Sequence, residues 1–468
     1  MVFSSLTFLL IFLPAFILLY FIFKDIRWKN GILLVFSLVF YAWGEPVWIL
    51  SMIFSTAVNY ACALLIVKSK SKPVKKLILA LGVAISLASL FYFKYAAFFA
   101  NSAAALFGLP IELPKLVLPI GISFYTFQIL TYTIDVYRGE APHQKNPLRL
   151  LLYVSCFPQL IAGPIVQYGD VAVEIAARET TADDFSAGLR RFAVGLGKKV
   201  LVANICGSAL AMLPTAEQGI SLAGAWLSAL LYALQIYFDF SAYSDMAIGL
   251  GRIIGFKYRE NFNYPYISSS VTEFWRRWHM SLSGFFRKYV YIPLGGNRKG
   301  SARTALNIMI VWSLTGLWHG ASWNFVFWGM YYGVLLLAEK FVFSKLLERL
   351  YKPLRHVITL IIVLFGWVIF YHTDTHNMFV HLKAMVGAGS GLIDQTTIGV
   401  LKTYTVFPVL AMIMSTPIVK KIEKLFEKRE SLQRAANAAG TVILTLIFAL
   451  SLLFLIGESY NPFIYYRF

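Results

Sequence analysis

The sequence predicts an all-α, polytopic membrane fold, and three observations carry that prediction. Of the 468 residues, 58% are hydrophobic and 14% charged, a balance well on the apolar side of soluble domains. The apolar residues gather into runs of about 17–25, the length that crosses a bilayer as a helix. The basic residues, 42 Lys and Arg against 23 Asp and Glu for a net charge of +19, fall in clusters that border those runs.

Taken in order, the runs place spans near 6–23, 31–45, 47–67, 77–99, 116–136, 220–250, 304–318, 321–338, 357–371, 400–419 and 438–457. The first lacks a basic leader and a small-residue cleavage site, so it reads as a retained helix rather than a signal peptide. Regions 148–167 and 187–213 are interrupted by Gly163-Pro164, Gly195, Gly197 and Lys198-Lys199. Re-entrant or interfacial helices are expected there, since irregular backbone at membrane depth needs protein or water around it. The total is about eleven to thirteen transmembrane and re-entrant helices in one domain over 1–468. No separate soluble domain is visible.

The clusters Lys24 to Lys29, Lys68 to Lys76, Lys340 to Arg355 and Lys420 to Arg429 mark cytoplasmic loops by the positive-inside rule. Because each borders an apolar run, nucleic-acid binding is the poorer account of the charge. Following the charges, 304–338 forms a hairpin starting and ending at the cytoplasmic Arg303 and Lys340, and the tail 458–468 is extracytoplasmic. Cys62, Cys156 and Cys206 are odd in number and scattered, so they read as small buried hydrophobes rather than disulfide or metal ligands.

His319 is the first candidate for chemistry. It lies in the turn of the predicted hairpin, about 24 Å of helix rise from Arg303 against a hydrocarbon core of about 30 Å. Ionisable residues at that depth are costly and point to function; hydrogen bonding between helices is the competing account. Gly316 and Gly320 flank it, and Trp318, Trp323 and Asn324 can line a cavity beside it. Asp239 and Asp245 sit in the run 220–250 and need partners or water. Six residues apart, they share no helix face, which favours structural polar networks over a catalytic pair and leaves a place in the tunnel lining as the minority reading.

Segment 252–303 carries ten basic and two acidic residues, with Trp275, Trp278, Leu282, Phe285 and Tyr289 at helical spacing. This is the pattern of an amphipathic helix lying on the membrane surface. It fits equally a snorkelling helix touching lipid headgroups and the mouth of a site for an anionic ligand, with Arg276, Arg277, Trp275 and Trp278 in contact. His279, four residues after Trp275 and on the same face, reads in isolation as a satisfied interfacial histidine. His372, Asp374 and His376 cluster past an exit helix, but the site reads as a solvated loop and no metal is expected.

Four words carry a family resemblance: Phe238-Asp-Phe-Ser-Ala-Tyr-Ser-Asp-Met-Ala-Ile-Gly249, Glu273-Phe-Trp-Arg-Arg-Trp-His279, Tyr291-Ile-Pro-Leu-Gly-Gly-Asn-Arg298 and Gly316-Leu-Trp-His-Gly320. With echoes at 118–124, 157–165 and the last six residues, the chain resembles the membrane-bound O-acyltransferase (MBOAT) family, in the branch of alginate O-acetylation and teichoic-acid D-alanylation proteins. The resemblance implies helices around a central tunnel and transfer of an acyl group, acetyl foremost, from a cytoplasmic thioester to an extracytoplasmic hydroxyl. It matches His319 to the catalytic histidine and makes His279 a second site histidine, with donor positioning and proton relay both open as its role. A neutral imidazole suits a base that takes the proton of an acceptor hydroxyl.

The terminal Pro462-Phe-Ile-Tyr-Tyr-Arg-Phe468 reads by composition as an interfacial aromatic anchor. It resembles a family motif whose tyrosine accepts the acyl group, here Tyr465, with Tyr466 the alternative. The implied donor is acetyl-coenzyme A or an acyl-carrier protein, with no permanently bound cofactor. The implied partner is an extracytoplasmic SGNH-type acyltransferase that esterifies a cell-envelope polysaccharide, since the chain holds no Gly-x-Ser-x-Gly word of its own. The implied setting is the bacterial cytoplasmic membrane. Three other readings stay open: D-alanyl transfer to teichoic acid, acylation of a lipid or protein, and a non-catalytic transporter, which inverted repeats would support.

Overall fold

The computed structural model describes residues 1–110, 112–114, 116–161, 163–426, 430–457 and 463–464. Helices alone make up the regular structure of these residues: α1 (Phe8–Ile22), α2 (Ile26–Ala42), α3 (Ile49–Lys68), α4 (Lys72–Phe107), α5 (Ile122–Arg138), α6 (Pro147–Ser155), α7 (Tyr168–Ala176), α8 (Ala182–Ala211), α9 (Leu222–Ile253), α10 (Val271–Arg277), α11 (Met280–Phe286), α12 (Gly300–His319), α13 (Trp323–Arg349), α14 (Lys352–Tyr371), α15 (Thr375–Met385), α16 (Gln395–Tyr404), α17 (Val406–Met414), α18 (Ile418–Phe426) and α19 (Glu430–Gly457). Seven are long and apolar enough to cross a membrane: α3, α4, α8, α9, α13, α14 and the Ala438–Gly457 part of α19, or eight if α16 and α17 count as one bent span. Only 6% of the Ala438–Gly457 stretch is buried within the protein, so its apolar side chains face a lipid solvent.

Three expectations change. The run 187–213 is not broken: α8 is continuous over 30 residues, because a π-helical turn at Lys198–Ala203 keeps the glycine- and lysine-bearing stretch helical. The run 400–419 is not straight: α16 and α17 meet at a 62° bend. Pro408 explains it, since its ring lacks an N–H for the Tyr404 carbonyl and clashes with it. The segment 271–286 is neither one helix nor a surface element: α10 ends at Arg277, α11 starts at Met280, and Trp275, Trp278, Leu282 and Phe285 are buried.

The chain forms two compact units, one of residues 1–193 with 243–259, the other of 194–242 with 260–464. The first is organised by aromatics from Phe3, Phe8, Phe12, Phe16 and Phe40 that pack around Phe157, four of them edge-to-face and Phe40 tilted. Buried Asn59 donates to Ser86 at 2.8 Å and accepts from Thr133 at 2.7 Å, tying α3, α4 and α5 together. Arg191 pairs with Asp245 at 2.9 Å.

The second unit centres on the expected hairpin of α12 and α13. Its helices approach most closely at Gly316 and Gly329, where an added Cβ would lie 2.2 Å from the Phe325 carbonyl oxygen and 2.3 Å from that of Trp312, respectively. Small residues let backbones come together in this way when lipid supplies no hydrophobic drive. At α10, Ser270 accepts from the Glu273 N–H at 3.0 Å, and the Glu339 carboxylate accepts from the N–H groups of Val271 and Thr272 at 2.8 and 3.1 Å. Four orphan donors begin any helix, and here a side chain from α13 takes two of them, clamping α10 to the hairpin.

Candidate functional site

His319 is the last residue of α12, and Gly320 follows with extended backbone. A Cβ at Gly320 would lie 2.2 Å from the Phe325 ring, so glycine lets Phe325 fold under the turn. The imidazole is 2% exposed and walled by Trp318, Trp328 and Phe370, with ring centroids at 5.0, 5.0 and 5.1 Å. The fully buried Asn324, at the start of α13, donates to the Phe370 carbonyl at 3.2 Å, which holds the end of α14 against the histidine.

The structure brings His279 to the same place. It lies between α10 and α11 at φ +44°, a left-handed conformation that few non-glycine residues adopt and that clusters at functional sites. Its ring packs 5.7 Å from Trp318 and 4.6 Å from Phe240, so one indole is shared by the two histidines. Asn261 fixes the break. Its side-chain oxygen accepts from the Ser281 N–H at 3.2 Å and the Ser281 hydroxyl at 2.9 Å, and lies 3.1 Å from His279 Nδ1. A backbone N–H can only donate, so that Asn261 atom is the oxygen and Nδ1 carries the proton toward it. The lone pair is thereby left on Nε2, and burial holds the group neutral by pushing its pKa down to about 3.

The remaining candidates separate. Trp275 contacts Trp312, Trp328 and Tyr332, while Trp278 contacts Phe274 and Trp367; both are core aromatics behind the histidines. Arg277 is held by Glu273 at 2.9 Å and by the Asn263 carbonyl at 3.0 Å, and Arg276 is exposed. A cavity of about 420 Å³ opens further along the same basic segment, lined by Arg287, Tyr291, Arg298 and Lys299 with the 295–297 loop. Asp239 is 1% exposed and pairs with Lys199 at 2.6 Å. Asp374 caps α15, and His372 turns to His381 at 2.8 Å rather than to His376. Among the described residues no three metal-ligating side chains gather. Tyr465 and Tyr466 lie outside the described residues.

Sequence reasoning missed Asn261, Trp328, Phe370, Lys199 and Arg191. The lysine left a signal, a charge inside an apolar run, but its partner lies 40 residues away.

The helices define a membrane protein, and comparison with known proteins shows its family. The model of the membrane-bound O-acyltransferase family matches residues 135–380. The chain is 39% identical to the probable alginate O-acetylase AlgI of Pseudomonas putida, with the whole of both chains covered. It is 33% identical to the peptidoglycan O-acetyltransferase of Helicobacter pylori over 83% of this chain and 80% of that one. To the teichoic acid D-alanyltransferase of Bacillus subtilis it is 29% identical, over 55% of this chain and 70% of that one. The protein belongs to the membrane-bound O-acyltransferase family: it is a multi-pass membrane enzyme that transfers acyl groups to oxygen.

Proposed function

We propose that the protein moves an acetyl group from a cytoplasmic thioester toward a cell-envelope polysaccharide, across the bacterial cytoplasmic membrane. The observation that carries this reading is His319, buried at the end of α12 with His279 packed against the same Trp318 ring. In the proposed step, an imidazole takes the proton of an acceptor hydroxyl. The hydroxyl oxygen then attacks the thioester carbonyl, the C–O bond forms, the C–S bond breaks, and the proton passes to the departing thiolate. His319 is the proposed base, and His279, its tautomer set by Asn261, positions donor or proton.

The donor is acetyl-coenzyme A or an acyl-carrier protein, both anionic. The cavity beside Arg287, Arg298 and Lys299 supports a phosphate-bearing donor, because guanidinium and ammonium groups recognise phosphate. Tyr465 is the proposed acceptor of the acyl group, and an SGNH-type extracytoplasmic partner the proposed enzyme that delivers it to polymer. Greater identity and coverage with the acetyl-transferring relatives favours acetyl over D-alanyl. The test is base-releasable acetate on envelope polymer in cells carrying His319→Ala: loss at normal protein level is expected, and wild-type acetate overturns the assignment.

A further inference from the structure

Lys199 and Asp239 form an ion pair within the second unit, their side chains 3% and 2% exposed. A buried pair is poor evidence for stability alone, because apolar replacements of similar volume are often neutral or stabilising. The second carboxylate oxygen points to a role beyond stability. Asp239 Oδ1 accepts from Lys199 Nζ at 2.6 Å, while Oδ2 accepts from the backbone N–H of Ile464 at 2.6 Å. The Lys199 ammonium also lies 4.8 Å from the centre of the Phe463 ring, within cation–π reach. Phe463 and Ile464 are themselves buried. One carboxylate thus holds a lysine of α8 with one oxygen and the C-terminal segment with the other, and the lysine covers the preceding ring. The next residue in the chain is Tyr465.

We infer that Lys199 and Asp239 are positioning residues that dock the C-terminal segment in the core of the enzyme so that Tyr465 is presented for acyl transfer; the second half of this statement rests on the acyl-acceptor reading above. The local design fits the task. The π-helical turn Lys198–Ala203 alters the helical phase where the lysine sits. The contact to the tail is made through the main-chain N–H of Ile464, so it fixes the backbone there. An N–H to a charged acceptor is among the stronger hydrogen bonds.

The experiment uses the full-length protein in membranes or detergent and two lesions. Lys199→Met with Asp239→Leu replaces both charges by apolar groups, which leaves the core without a buried unpaired charge while deleting the acceptor for Ile464. Ile464→Pro removes the donor and leaves the ion pair whole; Ile464→Val keeps the N–H as its control. Hydrogen exchange of the C-terminal peptide is read by mass spectrometry, together with base-releasable acetate on polymer. In the double variant the tail amides should exchange about tenfold to a hundredfold faster, the range for losing a hydrogen bond to a charged group, with α9 still protected. Both lesions should lower acetate at least tenfold, and Ile464→Val should keep wild-type tail exchange. Unchanged tail exchange in the double variant overturns the docking, and wild-type acetate despite a freed tail overturns the positioning role. The exchange result does not depend on catalysis, so wild-type acetate in His319→Ala would sink the acyl-transfer reading separately.

Discussion

His319 and Asp239 are almost equally buried, at 2% and 1% exposed, yet they are accommodated in opposite ways. Around the histidine stand rings of Trp318, Trp328 and Phe370; around the aspartate stand an ammonium and a backbone N–H. Imidazole can be neutral, so an apolar wall costs it little, and a neutral ring keeps a lone pair for proton transfer. A carboxylate cannot be left so, because an isolated buried charge is costly and needs both a counter-charge and hydrogen bonds. Rings enclose the group proposed for chemistry, whereas an ammonium and a backbone N–H hold the group proposed for position.

Substitution separates the two sites. Loss of a general base typically costs about 10²–10⁴-fold in rate, so on the proposed role His319→Ala should lower polymer acetylation on that scale while protein level and thermal unfolding in detergent hold. Asp239→Ala should show the reverse order of effects. With Lys199 left charged and buried, the expected loss of stability is about 3–5 kcal/mol, seen as a large fall in unfolding temperature and in membrane abundance. The more open pair Arg191–Asp245, with side chains 30% and 15% exposed, is the internal control. Asp245→Ala should cost about 1 kcal/mol, nearer the range of exposed pairs. Equal destabilisation by Asp239→Ala and Asp245→Ala would erase the distinction between a saturated and a partly solvated carboxylate.

The helical fold and the histidine were legible because each rests on a local pattern. Membrane-length apolar runs show as runs, and a histidine inside one is conspicuous wherever it pairs. The hairpin was legible as well, since Arg303 and Lys340 bracket it and Gly316 marks its tight face. The ion pairs were not, because Lys199–Asp239 and Arg191–Asp245 span 40 and 54 residues and only the meeting of α8 with α9 selects the partners. Nor was the break at His279. Trp275, Trp278, Leu282 and Phe285 keep helical spacing across it, and the left-handed residue that interrupts them is fixed by Asn261, 18 residues earlier. Spacing therefore predicted a surface stripe, whereas the chain folds those rings inward behind the site.

The donor end can be sharpened in the same way. Arg277 is engaged by Glu273 and a carbonyl, whereas Arg298 and Lys299 line the 420 Å³ cavity. On the proposed donor reading, Arg298→Gln with Lys299→Gln should raise the KM for acetyl-coenzyme A about tenfold, or 1.4 kcal/mol, and flatten its salt dependence, with kcat nearly unchanged. Arg277→Gln should do less. Should reversal of Arg276 and Arg277 outweigh the cavity pair, the donor mouth lies at α10.

The smallest effect concerns a second pair of histidines, at the end of α14. His381 Nε2 lies 3.0 Å from the Ala225 carbonyl oxygen and 3.1 Å from the Ser228 hydroxyl. Facing a carbonyl, Nε2 must carry the proton, so Nδ1 accepts, and the His372 Nε2 that lies 2.8 Å from it is the donor. Protonating His381 would set two N–H groups against each other. Burial pushes both pKa values down, that of His372 to about 4, with His381 adding to the shift and Asp374 opposing it. The unfolded chain, with histidine near 6.5, binds protons first as pH falls, so stability is level above about 6.5 and declines from there toward 4. Between pH 6.5 and 5.5 the loss should be at most about 1 kcal/mol for His372, given the 1.36 kcal/mol that one pKa unit represents. His372→Gln keeps a donor for His381 but does not titrate, so its unfolding temperature should fall less over that interval than the wild type's. An identical decline in both proteins would show that acid acts elsewhere than at this pair.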